Sequence, residues 1–367
     1  MKIGLFGYGT IGRGVYSLVE KLENKYDWKV VKVFDLPIKK EILGDKLVCD
    51  INDIINDKNI DTVVEALGDH DVPYEVISKS LNAGKNVITS NKEVVSMHLE
   101  EFLNTAHKNN CSFLFEASVG GGIPIIRSLI DNRKINEIND IYGILNGTTN
   151  YILTKMSDED LSFEEALAMA KKNGFAEANP TADLEGLDGV RKINILSSLA
   201  FNGNISNNDI YHYGITGVNK DILDDMKDHG YVLKFVASSH REGNECTIRV
   251  EPTMVPVGHP LSAVKNEFNS IMFTGSTNDT LSFFGKGAGS IPTASAIIAD
   301  LVAIKEGRGY IDYKNENKLT VNTNKVNDNM YYVVDQTNRP SIKTNLTDDQ
   351  LQTYKFYARV LDRIVKR

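Results

Sequence analysis

The chain begins with Lys2-Ile3-Gly4-Leu5-Phe6-Gly7-Tyr8-Gly9-Thr10-Ile11-Gly12, an apolar strand-like run that leads into three spaced glycines. A Gly-x-Gly-x-x-Gly spacing between a strand and a helix is typical of a dinucleotide-binding turn, although an ordinary turn can also carry it. The first glycine permits the tight turn, the second lets the backbone approach a pyrophosphate, and the third allows close packing of helix and strand. The N-terminus of the helix supplies N–H donors to the phosphates. We therefore expect cofactor contacts from Gly7, Tyr8, Gly9, Thr10, Ile11 and Gly12.

Apolar strand-like runs alternate with helical patterns in the first third of the chain, which indicates parallel βαβ units. Strands are predicted at residues 2–6, 29–34, 62–66, 86–89 and 112–115, with later helices at 74–83 and 99–107. This pattern predicts an α/β fold, a Rossmann-type doubly wound parallel sheet over residues 1–130, completed by about 285–315.

The chain changes character after Phe115, with glycine-rich loops, longer helices and alternating strands. Ser162 followed by Glu165 forms a capping box that predicts a helix ending near Gly174. Strands are expected at 246–255 and 280–284. A second, α+β domain is therefore predicted over residues 131–284, with a C-terminal tail at 316–367.

Composition excludes several classes of protein. The 367 residues carry a net charge of -8 and show no basic run, which argues against a nucleic-acid partner. No secretory leader or bilayer-spanning apolar window is evident. Three widely spaced cysteines indicate neither a disulfide framework nor a zinc site. We expect a cytoplasmic protein.

Asp35 ends the second predicted strand, where a carboxylate can accept hydrogen bonds from ribose hydroxyls and repel a 2′-phosphate. This favours NAD over NADP. Alternatively, Asp35 only starts a turn, and Lys39 with Lys40 receives the phosphate of NADP.

Residues 179–192 crowd three carboxylates and two cations around a glycine-punctuated turn before an apolar, helix-like run. If Asp188 opens that helix, Lys192 lies one turn further along on the same side. Such a pair could bind a polar substrate and move a proton. The alternative is a capping aspartate in a surface ion pair.

Six motifs in sequence resemble those of the homoserine dehydrogenases, from residue 1 to about 315. They are the N-terminal glycine turn and the segments 87–92, 115–124, 143–151, 174–192 and 285–294. The family interconverts L-homoserine and L-aspartate 4-semialdehyde with a nicotinamide cofactor, on the route to threonine and methionine. The resemblance implies a monofunctional enzyme that uses NAD or NADP.

The resemblance also implies roles for single residues. It assigns homoserine binding to Glu177, Asp183 and Asp188, and the acid/base group to Lys192. A free lysine titrates at about 10.4, so burial or a cationic neighbour must lower its pKa for proton exchange near neutrality.

Further cofactor contacts are implied by the same likeness. Lys92 follows the fourth strand at its carboxyl end, where ligands of open α/β sheets bind, and we expect it to contact the cofactor, with a proton relay as its second role, ranked below Lys192. Its alternative is a surface lysine at a helix N-terminus. The remaining cofactor positions are Ser90, Gly174 and Gly289.

The glycine-rich loop after Phe115 offers a carboxylate and several carbonyl oxygens, which suit a hard cation. The resemblance implies sodium or potassium held by Glu116, Val119, Gly121 and Ile123. A hinge between domains is the alternative role of this loop.

The tail departs from the family, many of whose members carry a ligand-binding ACT domain there. Residues 329–335 resemble its opening strand, whereas residues 350–366 are predicted to form one final helix. We therefore expect a shortened tail and only weak inhibition by millimolar threonine. Residues 68–71 are also more charged than the usual family turn.

Two other functions are alternatives. One is a dehydrogenase of a different amino-acid semialdehyde. Aspartate-semialdehyde dehydrogenase would need an activated thiolate nucleophile, and none of the three cysteines has surroundings in the sequence that favour one. The other is a non-catalytic nucleotide sensor, against which Glu177, Asp188 and Lys192 together argue. A homodimer, or a higher homo-oligomer, is expected through strand 138–145 and helix 293–304.

Overall fold

The computed structural model describes residues 1–322 and 329–361. Its strands are β1 (Lys2–Phe6), β2 (Lys29–Phe34), β3 (Leu47–Val48), β4 (Thr62–Glu65), β5 (Asn86–Thr89), β6 (Phe113–Leu114), β7 (Ile138–Ile144), β8 (Tyr211–His212), β9 (Tyr231–Glu242), β10 (Glu245–Pro256), β11 (Phe268–Gly275), β12 (Asp279–Lys286), β13 (Thr320–Val321), β14 (Met330–Val334), β15 (Pro340–Thr344) and β16 (Phe356–Val360). Its α-helices are α1 (Thr10–Tyr26), α2 (Lys40–Leu43), α3 (Asn52–Ile55), α4 (Asp71–Asn82), α5 (Lys92–Lys108), α6 (Ile125–Arg133), α7 (Gly147–Glu159), α8 (Phe163–Lys172), α9 (Thr181–Leu184), α10 (Leu187–Phe201), α11 (Lys220–Asp228), α12 (Ser290–Lys305) and α13 (Asp348–Leu351).

The chain divides into two compact units. The first contains Met1–Lys134 and Lys286–Glu316, and the second contains Ile135–Gly285 and the described part of Asn317–Arg367. The sequence predicts a separate tail from residue 316, whereas the contacts of the described tail residues group them with the second unit.

Unit 1 is built on a six-stranded parallel sheet in the order β3-β2-β1-β4-β5-β6. This is the doubly wound order of dinucleotide-binding folds, so the predicted fold class is confirmed. α12 packs on α1 at Gly14, where an added Cβ would lie 3.0 Å from the Ser290 backbone oxygen and 3.1 Å from the Ala294 side chain. This close approach joins the later segment to the first unit.

Most predicted boundaries in unit 1 lie within a residue or two of those observed, but one helix begins earlier. α5 starts at Lys92 and has non-helical backbone angles at His98, where φ is -128° and ψ is 18°. The sequence pattern therefore recognised only the part after the kink. The short elements β3, α2 and α3 were not predicted.

Unit 2 is built on a mixed sheet in the order β12-β11-β7-β9-β10-β16-β14-β15. β7 pairs antiparallel with both β9 and β11, and β9 pairs antiparallel with β10 along twelve residues. The predicted capping box is present at the start of α8, where Ser162 and Glu165 bond each other's backbone N–H groups. The α+β character expected of this region is confirmed.

The prediction of one helix over residues 350–366 is wrong for the residues that the structure describes. α13 ends at Leu351, and β16 then pairs parallel with β10 and antiparallel with β14. Four of its five residues are buried, because the strand lies inside the sheet. Residues 362–366 lie outside the described ranges. The strand expected near 329–335 is present as β14.

A buried ionic cluster attaches α13 to the sheet. The Arg249 guanidinium lies 2.9 Å from a Glu251 carboxylate oxygen and 2.8 Å from an Asp348 carboxylate oxygen. It also lies over the ring of Tyr211, 3.9 Å from the ring centre. Removing either carboxylate would leave a buried charge with fewer partners, which is strongly destabilising.

Within the described ranges, no helix combines the length and the apolar character needed to cross a lipid bilayer. The apolar helix α10 has fifteen residues, and nearly all of them are buried inside unit 2. Its apolar surface is therefore used in packing.

Lys234 on β9 is a buried lysine whose ammonium donates to the Asn150 side-chain oxygen and to the Val264 carbonyl oxygen. Burial, with a smaller contribution from the charge of Lys265, lowers its pKa to about 8. The ordinary lysine value is about 10.4. The folded state therefore disfavours the charged lysine more than the unfolded chain does.

Stability should consequently depend on pH at this position. Below pH 8 the charged Lys234 costs the folded state about 3 kcal/mol, and this cost disappears as pH rises towards 10.5. We predict that the free energy of unfolding of the wild type rises across this window relative to Lys234→Met. Urea unfolding at several pH values measures the difference, and Lys227→Met on exposed α11 is the control. Parallel curves for wild type and Lys234→Met would contradict the assignment.

Candidate active site

The central feature of unit 2 is a buried ion pair on α10. The Lys192 ammonium lies 2.7 Å from an Asp188 carboxylate oxygen, one helical turn away. It also donates to the Leu145 carbonyl oxygen at 2.7 Å. Both residues are under 8% exposed, and the residue before the helix is Gly186. The alternative of a capping aspartate in a surface ion pair is therefore wrong.

Asn146 connects this pair to a second carboxylate. Its side-chain oxygen accepts the Thr149 N–H at the start of α7, so its amide nitrogen must face the other way. That nitrogen donates to Asp183 at 2.7 Å and to Asp188 at 2.9 Å. Thr148 donates to the second oxygen of Asp183 at 3.1 Å. One amide therefore holds two acidic side chains side by side.

The electrostatics of this cluster favour a cationic ligand. Burial, followed by the nearby negative charge of Asp188, raises the pKa of Asp183, although hydrogen bonds from Asn146 and Thr148 oppose the shift. The Lys192 ammonium bonds Asp188, and its positive charge also acts on Asp183, whose pKa it lowers slightly. An ammonium group entering the cluster would stabilise the ionised form of Asp183.

Asn146 and Thr148 belong to this cluster, although the sequence pattern does not predict this. Both lie in the segment 143–151, which was quoted as a motif without roles for these side chains. An Asn followed by Gly-Thr-Thr before an apolar run is a helix N-terminus signal. That signal predicts the cap but not the amide nitrogen on its other side.

Glu177 and Gly174 are not joined to this network. Glu177 is exposed, and no hydrogen bond or ion pair to it is found among the described residues. Gly174 has φ of +75° at the end of α8, and an added Cβ there would meet no atom within 4 Å. Its conformation is therefore explained by the helix end.

The glycine turn of unit 1 has the geometry that a pyrophosphate needs. Gly7 has φ of +94°, and an added Cβ at Gly12 would lie 1.9 Å from the Gly7 carbonyl oxygen. At Gly9 the same addition would meet nothing within 4 Å, so the turn is open on that side. Gly9 precedes α1, which begins with Thr10 and Ile11 and has no acidic residue in its first turn. The residues present fit a dinucleotide.

Asp35 holds the same turn from the end of β2. One of its carboxylate oxygens accepts the Tyr8 N–H at 2.5 Å, and the other accepts the Leu36 N–H at 2.7 Å. The side chain is half-buried. Asp35 is thus fixed beside the turn, and it supports the turn as well as presenting a negative charge.

A buried carboxylate organises the segment that carries Lys92. Glu65, at the end of β4, accepts the Leu67 N–H at 2.6 Å and the Thr89 hydroxyl. Thr89 accepts the Asn91 N–H at 2.9 Å. The Asn91 side-chain oxygen caps α5, whose first residue is Lys92.

The Asn91 amide also reaches the turn after β4, where it donates to the Asp69 carbonyl oxygen at 2.8 Å. Ser90 lies between Thr89 and Asn91 and is half-buried. The segments after β4 and β5 are therefore tied together at the carboxyl ends of the strands, where ligands of such sheets bind.

The predicted cation loop is buried, but its carboxylate is already used. Glu116 accepts the Ile126 N–H at 2.7 Å and the Arg127 N–H at 2.9 Å at the start of α6. No group of three or more acidic, histidine or cysteine side chains among the described residues could hold a metal ion. A cation in this loop would have to bind main-chain oxygens.

The main chain of this loop is tightly constrained. Val119, Gly121 and Ile123 are buried, and Gly121 has φ of +56° with the Gly287 carbonyl in the space of a Cβ. The Ile123 carbonyl oxygen accepts the Ile125 N–H at 2.9 Å, which leaves it one further lone pair. Gly289 has φ of +119° and precedes α12.

The cysteines do not support a thiolate mechanism. Burial raises the pKa of Cys111 and of Cys246 to about 11, which leaves both as thiols near neutrality. Cys49 is exposed, and its thiol approaches only the Asp35 carbonyl oxygen at 3.8 Å among the contacts described.

Comparisons with known proteins agree along most of the chain. The family model for the homoserine dehydrogenase NAD-binding domain matches residues 7–116, and the homoserine dehydrogenase model matches residues 124–302. The homoserine dehydrogenase of Bacillus subtilis is 39% identical over 314 residues, covering 83% of this chain and 72% of that protein.

Solved structures give the same result. A homoserine dehydrogenase from Thiobacillus denitrificans has a TM-score of 0.84 at 30% identity, covering 91% of this chain and 82% of that one. That of S. aureus at pH 7.5 has a TM-score of 0.80 at 30% identity, covering 99% of this chain and 100% of that one. The second likeness includes the C-terminal segment.

The buried Glu65 generates a prediction of its own. Burial raises its pKa to about 7, against 4.5 for a free glutamate, so the folded protein binds this proton more tightly than the unfolded chain. The free energy of unfolding should therefore fall as pH rises from about 4.5 to 7, by about 3 kcal/mol from this group. In Glu65→Gln, this contribution to the pH dependence of the free energy of unfolding should be absent. Urea unfolding of both proteins between pH 4.5 and 8 is the measurement.

Glu75→Gln on α4 is the matched control, because the Glu75 side chain is about half exposed. It should keep the pH dependence of the wild type. If Glu65→Gln keeps it too, the carboxyl of Glu65 does not titrate in this window.

Proposed function

Because the chain belongs to the homoserine dehydrogenase family, NAD(P)-dependent oxidoreductases that interconvert L-homoserine and L-aspartate 4-semialdehyde, we propose that Asp188 and Lys192 carry out its substrate chemistry. The observation that carries the proposal is the buried 2.7 Å pair, in which an ammonium is fixed between a carboxylate and a carbonyl oxygen. The pathway of this reaction leads to threonine and methionine.

The substrate's own ammonium group is assigned to the acidic side of the cluster. Asp183 and Asp188 lie side by side on the Asn146 amide, and burial together with the charge of Asp188 raises the pKa of Asp183, so an ammonium beside them stabilises its ionised form. Glu177 is exposed beyond α8 and supplies a third carboxylate for the same ammonium. This arrangement selects a substrate that carries a positive charge, as an amino acid does.

The proton step is assigned to Lys192. The nicotinamide, when bound, supplies hydride to the aldehyde carbon or accepts it from the alcohol. As the C4 oxygen gains an electron pair, Lys192 gives it one proton and becomes a neutral amine, which solvent then reprotonates. In the oxidation direction the neutral amine removes the hydroxyl proton. Asp188 and the Leu145 carbonyl oxygen keep the nitrogen in place during both steps.

The cofactor is assigned to the glycine turn of unit 1, with NAD preferred. Asp35 supports this preference, because a fixed carboxylate beside the turn disfavours a 2′-phosphate. Lys40, one of the two alternative phosphate ligands, already donates to the Gly44 carbonyl oxygen at 2.9 Å. Ser90, Lys92 and Gly289 complete the proposed cofactor contacts, and Gly174 is retained as a position that a nicotinamide ring can approach.

Three further assignments are proposals of the same kind. Sodium or potassium is assigned to the main-chain oxygens of Glu116, Val119, Gly121 and Ile123. The protein is assigned to the cytoplasm, and a homodimer is the proposed assembly. β7 is an interior strand of its sheet, so it could take part only through a face. Light scattering of the purified protein measures the assembly.

The acid/base assignment predicts the behaviour of Lys192→Ala. The variant should lose about a hundred- to ten-thousand-fold in turnover, because one positioned proton donor is missing. Its affinity for NAD should be unchanged, since the glycine turn is intact. Turnover is measured spectrophotometrically with homoserine, and NAD binding by fluorescence titration.

Lys220→Ala is the control, since Lys220 is an exposed lysine paired with Asp160. It should retain full activity. Near-normal turnover in Lys192→Ala would move the acid/base role to Lys92.

The cofactor assignment predicts the behaviour of Asp35 variants. Asp35→Ser and Asp35→Asn should both shift the ratio of kcat/KM for NAD and NADP towards NADP, because both remove the negative charge. Asp35→Asn can still accept the Tyr8 N–H, so it separates loss of charge from loosening of the turn. Asp45→Ser, at a fully exposed carboxylate, should leave the ratio unchanged. A wild type that strongly prefers NADP would overturn the assignment and direct attention to Lys39 and Lys40.

A further inference from the structure

Two histidines in unit 1 face one another through their ring nitrogens. His70 is the last residue before α4, and His98 lies at the kink of α5. Their Nε2 atoms are 3.1 Å apart. The two side chains are 29% and 23% exposed, so small ions can reach them from solvent.

Each ring is held from behind by a carboxylate. His70 Nδ1 lies 2.9 Å from Asp71, and His98 Nδ1 lies 3.2 Å from Glu101. An ionised carboxylate only accepts hydrogen bonds, so both Nδ1 atoms must carry their proton. In the neutral rings, both Nε2 atoms therefore present a lone pair.

These two lone pairs point towards each other. The ring centres are 5.2 Å apart, about 2 Å further than the two nitrogens, so the nitrogens are the points of closest approach. Two acceptors at this distance repel unless a cation lies between them or bridges them. The ring of His98 packs against the ring of Tyr74, with centres 4.5 Å apart, and against that of Phe102, with centres 5.6 Å apart. These contacts restrict rotation of the His98 ring.

The spacing suits a metal ion. Two nitrogens at tetrahedral positions, each about 2.05 Å from one zinc ion, are about 3.3 Å apart. Imidazole is a preferred ligand of zinc, copper and nickel. A metal-bound histidine usually donates its other N–H to a carboxylate, as both rings do here.

We propose that His70 and His98 bind one divalent transition-metal ion through their Nε2 atoms, with Asp71 and Glu101 orienting the rings. No third acidic, histidine or cysteine ligand joins them among the described residues, so water completes the coordination. The site uses none of the side chains assigned to the reaction proposed above, and it accounts for the charged 68–71 turn that departs from the family pattern. A bound ion would connect the turn after β4 to α5.

The test is metal binding to the purified, metal-free protein, measured by competition with a chromophoric chelator. We expect one equivalent of Zn²⁺ or Ni²⁺, with Cu²⁺ bound more tightly than either and Mg²⁺ unable to compete. His70→Gln and His98→Gln should each weaken Zn²⁺ binding more than a hundredfold. Glu101→Gln should weaken it about 10- to 100-fold, since it replaces the charged acceptor behind His98 by a neutral amide.

His229→Gln is the control, because His229 is an exposed histidine at the end of α11 that lies beside Asp225. It should bind Zn²⁺ as the wild type does. Equal binding by the wild type and both paired-histidine variants would overturn the proposal. A wild type that binds none of these metal ions would also overturn it, and the cation between the two rings would then be a proton. Circular dichroism of each variant verifies that it is folded. The dehydrogenase assay tests the proposed function separately, because metal binding is measured without substrate or cofactor.

Discussion

The buried ion pair between Asp188 and Lys192 is the interaction on which the proposed active site of unit 2 depends. Charges that leave water must be compensated locally, and truncating one partner leaves an unpaired buried charge. Here the compensation comes from the Leu145 carbonyl oxygen and from Asn146, whose amide is oriented by the start of α7. The end of β7, the start of α7 and α10 therefore meet at one ion pair.

The packing of the start of α10 on the sheet fixes the position of this ion pair. Gly186 has φ of +92°, and an added Cβ there would lie 3.0 Å from the Phe235 ring. At Gly189 it would lie 2.8 Å from a Val250 methyl group. The two glycines let the start of the helix approach β9 and β10 closely. The distance of Asp188 and Lys192 from the sheet is thus set by this packing. A larger residue at either glycine would move both side chains away from the sheet.

Sequence reasoning recovered what depends on local pattern. The glycine turn, the parallel sheet and the Ser162 capping box follow from rules that need only neighbouring residues. The Asp188 to Lys192 spacing predicted the shared helix face correctly, since a turn of helix brings i and i+4 together. The amide bridge of Asn146 could not be predicted, because it joins α7, α9 and α10 across more than forty residues.

In the C-terminal tail, the local sequence pattern led to a wrong prediction. An apolar run buried on both faces has no period of two, so Phe356–Val360 could be read as part of a helix. Only its pairing with β10 and β14 makes it a strand. The expectation of weak threonine inhibition was based partly on that helix and loses this support, whereas the site in unit 2 does not depend on it.

The central claim is that the acidic cluster holds the substrate's ammonium while Lys192 serves its oxygen. A crystal structure of the enzyme with L-homoserine and NAD tests it most directly. The account predicts the C4 hydroxyl oxygen at about 2.6–3.2 Å from Lys192 Nζ, with the substrate ammonium on Asp183 and Asp188. A hydroxyl bound to another side chain, or an ammonium facing solvent, would contradict it.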